Sequence, residues 1–395
     1  MRGWEKMSRL ILTNAHVITP FEEIYPGTVE IENGIIKKVY AGKNSSGDNL
    51  DGKIVAPGFI DVHTHGIGGF DVTYSAMSGL EQEVEETLIK MSEKYLMHGV
   101  TYFLPTTVTA SHEVLLTAAK GVKNAVNYQK DQLIGAKIGG LHLEGPYISK
   151  EKKGAQNPEF IRLPSIQELK EYWKASEGNI KTITIAPELE GALEFIQYAR
   201  RIGISVSLGH TNATYEDAKA AIYAGANRAS HLYNAMRPIN HRDPGIIVAV
   251  LESPQVYVEL IADLIHISPE IIKFTVNHTG MERVVIITDS IIATDLPDGE
   301  YSLGGLKVIV KEGICRLEDG TLAGSTLTMD KALRNLIQIG FSLKDAIRAM
   351  TYNPARAIEI HKNGAILPGY SADLVILNED LNVDSVYING KNMLS

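Results

Sequence analysis

The spacing of apolar and polar residues changes character twice along the chain. Residues 9–19 (RLILTNAHVIT) read as a strand, and residues 28–31 and 35–40 flank Asn33-Gly34, a dipeptide that favours a tight hairpin turn. Residues 53–56 add another short strand. The end of the chain repeats this character: residues 373–377 (DLVIL) and 385–388 are strand-like, and Asn389-Gly390 follows. Two β-rich ends around a different middle predict one small β-sandwich domain built from both termini, residues 1–57 plus 364–395.

The middle alternates between short apolar runs and helix-length amphipathic segments, of which residues 81–98 and 215–224 are the clearest. The apolar runs end at His65, Thr107, Glu144, Glu188, His210, His231, Asp263 and Asp289. They are apolar enough to be buried on both faces, as parallel strands are. Eight strand-helix units predict an α/β fold of the (β/α)8 TIM-barrel type over residues 58–363. An open doubly wound sheet would carry a glycine-rich phosphate loop after its first strand. Residues 66–69 are glycine-rich, but they follow two histidines and do not match that fingerprint. Residues 299–324 interrupt the alternation, and runs at 306–310 and 314–317 predict an inserted hairpin. Helical segments from 329 to 360 then lead back to the terminal strands.

Composition narrows the picture. With 395 residues, the chain has room for one large and one small domain. A net charge of −9 disfavours nucleic-acid binding, which leaves a basic footprint, but local cations can still hold an anionic small molecule. A single cysteine, Cys315, allows no intrachain disulfide and fits a reducing compartment. No run reaches membrane-span length, and the first eight residues lack the apolar core of a secretory signal. The expectation is a cytoplasmic protein with neither membrane nor nucleic-acid partners.

The chemistry lies at the expected strand ends. His63, His65, Glu144, His210, His231 and Asp289 all fall there, and in a barrel those ends converge on one face. His63 and His65 are two residues apart, so on a strand they project to the same side. Imidazoles with carboxylates suit a borderline divalent cation, Zn or Fe. His16, His98, His112, His241, His278 and His361 fit ordinary surface or core roles. His142, two residues before Glu144, fits a supporting position behind the ligands.

These residues carry a family resemblance. PGFIDVHTHG (57–66) resembles the first-strand motif of the amidohydrolase superfamily. GLHLEGPYI (140–148), GHTNAT (209–214), HLYNAM (231–236), DPG (243–245), IADLIH (261–266), TDS (288–290) and LAGSTLTMD (322–330) are similar, in order, to N-acetylglucosamine-6-phosphate deacetylases. The resemblance implies that Glu144, His210 and His231 bind the main metal and that Asp289 is the general acid/base. His63 and His65 match members that hold a second ion, so one or two ions per subunit are expected. Substrate contacts are implied at Ala155, Gln156, Asn234, Ala235, Arg242 and His266, with Leu322, Ala323 and Gly324 closing the sugar site. Arg242 is expected to reach the neighbouring subunit of a homodimer and to hold the phosphate. Some relatives have a histidine at the position of Gln156, where it polarises the acetyl carbonyl; glutamine cannot carry that charge.

The implied reaction is hydrolysis of the acetamide of a phosphorylated amino sugar. A bound metal lowers the pKa of water to about 7, and Asp289 would shuttle the proton. Two rival readings remain at this stage. Cyclic-amide hydrolases share the HTH element but often use a carboxylated lysine at the fourth strand end, which here reads Ala186-Pro187-Glu188. A catalytically silent barrel scaffold would not need so complete a ligand set.

Overall fold

The computed structural model describes residues 9–394; the readings made on the first eight residues lie outside this range. Eight parallel strands form the expected barrel: Phe59–Thr64, Val100–Thr107, Leu141–Glu144, Ile180–Ile185, Ser205–Leu208, Arg228–Ala229, Tyr257–Ile261 and Val284–Ile287. Each pairs in parallel with the next, and a two-residue edge strand, Lys137–Ile138, also joins the second. Nearly all their side chains are buried, because helices cover the outer face and side chains fill the interior. The amphipathic segments fold as helices where expected, including Glu81–Met97 and Tyr215–Ala224. Their starts are fixed by side chains that satisfy free backbone N–H groups: Ser111, Ser165, Thr214, Ser268 and Ser342 each accept one.

The barrel is nearly closed. Among the described residues no strand ladder joins the eighth strand to the first; the seam is made where the end of the first strand meets the residues just past the eighth. There, Asp289 N donates to His63 O at 3.0 Å and His65 N to Ser290 O at 2.8 Å. Beneath this, Thr288 Oγ1 donates to the buried Asp61 carboxylate at 2.6 Å.

Both ends of the chain contribute to a separate sandwich-like sheet of eight strands. Strands Arg9–Ile18, Glu23–Glu32 and Ile35–Ala41 come from the start, and Leu374–Leu377 and Val383–Ile388 from the end. Leu374–Leu377 pairs antiparallel with Ile54–Pro57, which splices the two termini together. Alternate residues, among them Leu12, Val17, Val29, Ile31, Val55, Leu374 and Ile376, form a core of their own.

Two expectations need correction. The insertion is a three-stranded antiparallel sheet, not a hairpin: Gly299–Leu303 pairs with Leu306–Lys311, which pairs with Ile314–Arg316. The extra strand (GEYSL) carries only one buried residue, Leu303, so no apolar alternation announced it. The barrel strands are also shorter than the apolar runs. His210, His231 and Asp289 each lie two residues past a strand end, in left-handed backbone.

Asp373 ties the sheet to the barrel. Its carboxylate accepts from Lys137 Nζ at 2.9 and 2.7 Å, Asn389 N at 2.9 Å and Asn363 Nδ2 at 3.1 Å. Asp373→Ala strips the acceptor from three donors, and charge-assisted bonds are worth about 1.5–3 kcal/mol each before solvent screening. A net loss of about 2–3 kcal/mol is expected, read as a lower denaturant midpoint at unchanged metal content. An unchanged midpoint would show that the joint adds nothing.

Candidate metal centre and active site

The side chains singled out at the strand ends meet at Glu144. Its Oε1 lies 2.9 Å from His231 Nε2, 3.1 Å from His210 Nε2 and 3.2 Å from His63 Nε2; its Oε2 lies 3.4 Å from His65 Nε2. Two groups able to hold a metal ion therefore share this one carboxylate: His63, His65 and Glu144, and Glu144, His210 and His231. All five residues are buried. His63 Nε2 is enclosed without a hydrogen-bond partner, as a lone pair kept for an ion would be. The donors are nitrogen and oxygen throughout, which suits a borderline divalent ion. The residues present thus fit a two-ion centre.

Three of the four imidazoles are oriented from behind. His210 Nδ1 lies 3.0 Å from Lys152 O, His65 Nδ1 lies 2.9 Å from Thr106 O, and His63 Nδ1 lies 3.0 Å from Glu259 Oε2. His142 sits below the cluster, bridging the hydroxyls of Thr106 and Thr184. Burial and the neighbouring His63 and Arg228 charges hold it well below the ordinary histidine range, so it is neutral.

Asp289 Oδ1 lies 3.0 Å from His65 Nε2 and 3.6 Å from His63 Nε2. Burial pushes both the Asp289 and Glu144 carboxyls up, but the surrounding imidazoles outweigh it and hold both below the ordinary carboxylate range. Both are therefore ionised near neutrality.

A cavity of about 310 Å3 opens over the cluster. Of the residues expected to touch substrate, Ala155, Gln156, Asn234, Ala235, His266, Leu322 and Gly324 line it. Gly324 holds φ +59°, and a Cβ there would lie 2.4 Å from Ile291 Cγ2, so only glycine fits this part of the roof. Ala323 is buried behind its neighbours in the core beneath the inserted sheet. Arg242 does not line the cavity of its own chain; it is exposed on a tight loop in which its N donates to Asn240 Oδ1. The sequence pattern offered two further strand-end carboxylates, and neither joins the cluster. Glu188 accepts from Thr211 Oγ1 and Asn212 N, and Asp263 lies 2.7 Å from His266 Nδ1. Sequence reasoning missed Arg228 and Glu259, which lie beneath the centre. Lone charges in otherwise apolar strands were the available signal.

The Amidohydrolase family model matches residues 54–393. The N-acetylglucosamine-6-phosphate deacetylase of Lysinibacillus sphaericus is 35% identical over 376 residues, covering 94% of each chain. The chain belongs to the amidohydrolase family, among the N-acetylglucosamine-6-phosphate deacetylases. The N-acetylgalactosamine-6-phosphate deacetylase of Escherichia coli O157:H7 is 36% identical, over 86% of this chain and 88% of that one. A mutant N-acetyl-D-glucosamine-6-phosphate deacetylase from Mycobacterium smegmatis, solved with N-acetyl-D-glucosamine-6-phosphate, superposes with a TM-score of 0.90 at 36% identity. That match covers 98% of this chain and 100% of the other. Among the described residues no helix is long and apolar enough to cross a membrane.

One of the histidines read as ordinary braces the segment that leads from the eighth strand to the roof. His98 Nε2 lies 2.8 Å from Asp295 Oδ2, and its Nδ1 2.9 Å from Asp330 Oδ1, which Arg334 also holds through the other oxygen. Burial pulls the His98 imidazole down, but the two carboxylates prevail and push it up to about 9. Because this lies above the unfolded value of about 6.5, the added stability is complete below about pH 6.5 and is lost as pH rises through about 9. The stability gap between the natural protein and His98→Gln should therefore narrow between those pH values, as read from urea midpoints. A gap of equal size at both ends would mean that the contacts act as neutral hydrogen bonds.

Proposed function

We propose that this chain hydrolyses the acetamide of N-acetylglucosamine 6-phosphate to glucosamine 6-phosphate and acetate. The carrying observation is the Asp289 carboxylate placed beside a His/Glu cluster at the floor of a sugar-sized cavity. Full-length relatives named for this reaction support the choice of substrate. The absence of a lysine at the fourth strand end weighs against a cyclic-amide hydrolase built on a carboxylated lysine.

Glu144, His210 and His231 would hold the principal ion, and His63 and His65, sharing Glu144, a second one; Zn or Fe suits these donors. When bound, such an ion acidifies water to a pKa of about 7 and polarises a carbonyl. Asp289 accepts the proton of the attacking water on a carboxylate oxygen. It returns that proton to the sugar nitrogen as the C–N bond breaks and acetate leaves. Gln156 has both ends committed: Nε2 donates to Glu144 Oε2 at 2.7 Å, and Oε1 accepts from Thr109 N at 2.6 Å. It braces Glu144 through one Nε2 hydrogen, which leaves the second for a substrate acceptor in the cavity that Gln156 lines.

Ala155, Asn234, Ala235 and Leu322 would enclose the sugar. His266, raised above its ordinary range by Asp263 against the pull of burial, offers one cation to the phosphate. Arg242 would come from a second copy of the chain. Its loop exposes Ile239, and the segment after the seventh strand exposes Ile265, Ile271 and Phe274, apolar residues suited to a homodimer contact. A cytoplasmic setting completes the reading, in line with a single buried cysteine.

The test is a deacetylation assay on both 6-phosphorylated epimers, glucosamine and galactosamine derivatives, with the natural protein and Asp289→Asn. The variant should keep its fold and metal yet lose turnover by about 100-fold or more, because an amide cannot shuttle the proton. Near-normal turnover would remove Asp289 from this role, and no turnover by the natural metal-loaded protein on either epimer would remove the function.

Arg242→Ala should cut kcat/KM on the phosphorylated sugar roughly ten- to a hundred-fold while sparing residual use of the unphosphorylated one. A monomeric variant with Arg242 intact should lose the same discrimination. Equal losses on both substrates would assign Arg242 a structural role, and a fully selective monomer would refute the cross-subunit contact.

A further inference from the structure

The interior of a barrel of this type is normally filled by layers of apolar side chains. Directly beneath the His/Glu cluster, one layer instead holds a charge pair. Arg228 on the sixth strand and Glu259 on the seventh are both completely buried. Arg228 Nη2 donates to Glu259 Oε1, and its Nη1 donates to Thr182 Oγ1 at 2.6 Å. The other carboxylate oxygen, Glu259 Oε2, lies 3.0 Å from His63 Nδ1. On the far side of the same ring, His63 Nε2 faces Glu144 Oε1 at 3.2 Å and Asp289 Oδ1 at 3.6 Å.

Stability does not account for this arrangement. A buried ion pair loses so much hydration that well-packed apolar residues usually serve as well or better. Its third contact does account for it. A carboxylate behind an imidazole keeps the proton on Nδ1, leaves the Nε2 lone pair free and raises the basicity of the ligand. Arg228 neutralises Glu259, so the pair adds no net charge below a cation site. The other clustered histidines lack this device: His65 and His210 rest on backbone carbonyls, and His231 Nδ1 is buried without a hydrogen-bond partner.

We propose that Glu259 is the positioning residue for the second-ion half of the centre, with Arg228 as its counter-charge. This rests on the reading of His63, His65, Glu144, His210 and His231 as ligands.

The test measures metal content per chain and affinity by chelator competition on the intact protein. Folding is checked by circular dichroism and thermal melting. The natural protein should hold two ions. Glu259→Gln keeps the volume and an acceptor oxygen but drops the charge, and should weaken one ion about 10-fold. The double variant Arg228→Met with Glu259→Leu removes the pair without leaving a lone buried charge. It should weaken the same ion about 100-fold. In both, the other ion should keep its affinity. If the double variant does not fold, the near-isosteric Glu259→Gln decides. Two ions held at natural affinity in a folded variant, or equal weakening of both ions, would overturn the proposal. So would a natural protein that holds a single ion, which would leave the principal site standing. A natural protein that binds no metal would overturn the ligand reading itself.

Discussion

Everything at this site depends on one carboxylate. Glu144 ends the third strand and is approached by His63 and His65 from the first, His210 from beyond the fifth, His231 from beyond the sixth and Gln156 from the following loop. In a flat sheet the first and fifth strands would stand four spacings apart, about 19 Å. Only a sheet rolled into a barrel brings such groups to one oxygen. The apolar side chains that fill and clothe the barrel therefore hold the polar centre together from a distance. A mutation in that core would be felt at the site through strand curvature before it was felt through any direct contact.

Closure and chemistry share the same atoms. The seam between the first and eighth strands consists of backbone bonds from Asp289 to His63 and from His65 to Ser290. Below it, Thr64 and Tyr95 hydroxyls gather around Ser290 Oγ at 2.7 and 3.2 Å. Completing the barrel thus sets the distance between Asp289 and the two histidines. The backbone is strained at these points: φ is +48° at His210, +29° at His231 and +51° at Asp289. Non-glycine residues in such conformations cost about 1–3 kcal/mol each and persist only where the surroundings over-determine them. Here the turn at each strand end aims the side chain across the barrel mouth instead of along the strand.

How much of this could be read from sequence follows from the physics of each signal. Barrel strands buried on both faces appear as largely apolar runs, so all eight were legible, and so were the polar residues that stop them. The capped helix Tyr215–Ala224 was legible to the residue, because Thr214 and Asp217 form a reciprocal capping box. The ends of the strands were not legible, because an apolar run continues into a buried turn without changing composition. Glu188 and Asp263 met the same strand-end criterion as Glu144 yet serve local loops, since position along a strand does not specify which way a side chain turns. Gln156 showed the opposite limit. Its residue type excluded a charged role, but its two-ended grip on Glu144 and the Thr109 backbone required the fold.

Charge accounts for what remains. The chain as a whole is at −9, yet the pair directly below the centre adds no net charge, because Arg228 cancels Glu259, and the neighbouring His142 is uncharged. The carboxylates within the cluster itself are Glu144 and Asp289, both below the ordinary carboxylate range. The basic groups lining the cavity come from the loops: Lys152, and His266, which Asp263 raises above its ordinary range against the pull of burial. The carboxylates of the cluster thus come from the strand ends, and the basic groups over it come from the loops. In the function proposed above, that separation would let one cavity take a cation at its floor and a phosphorylated sugar above it without either set of groups neutralising the other.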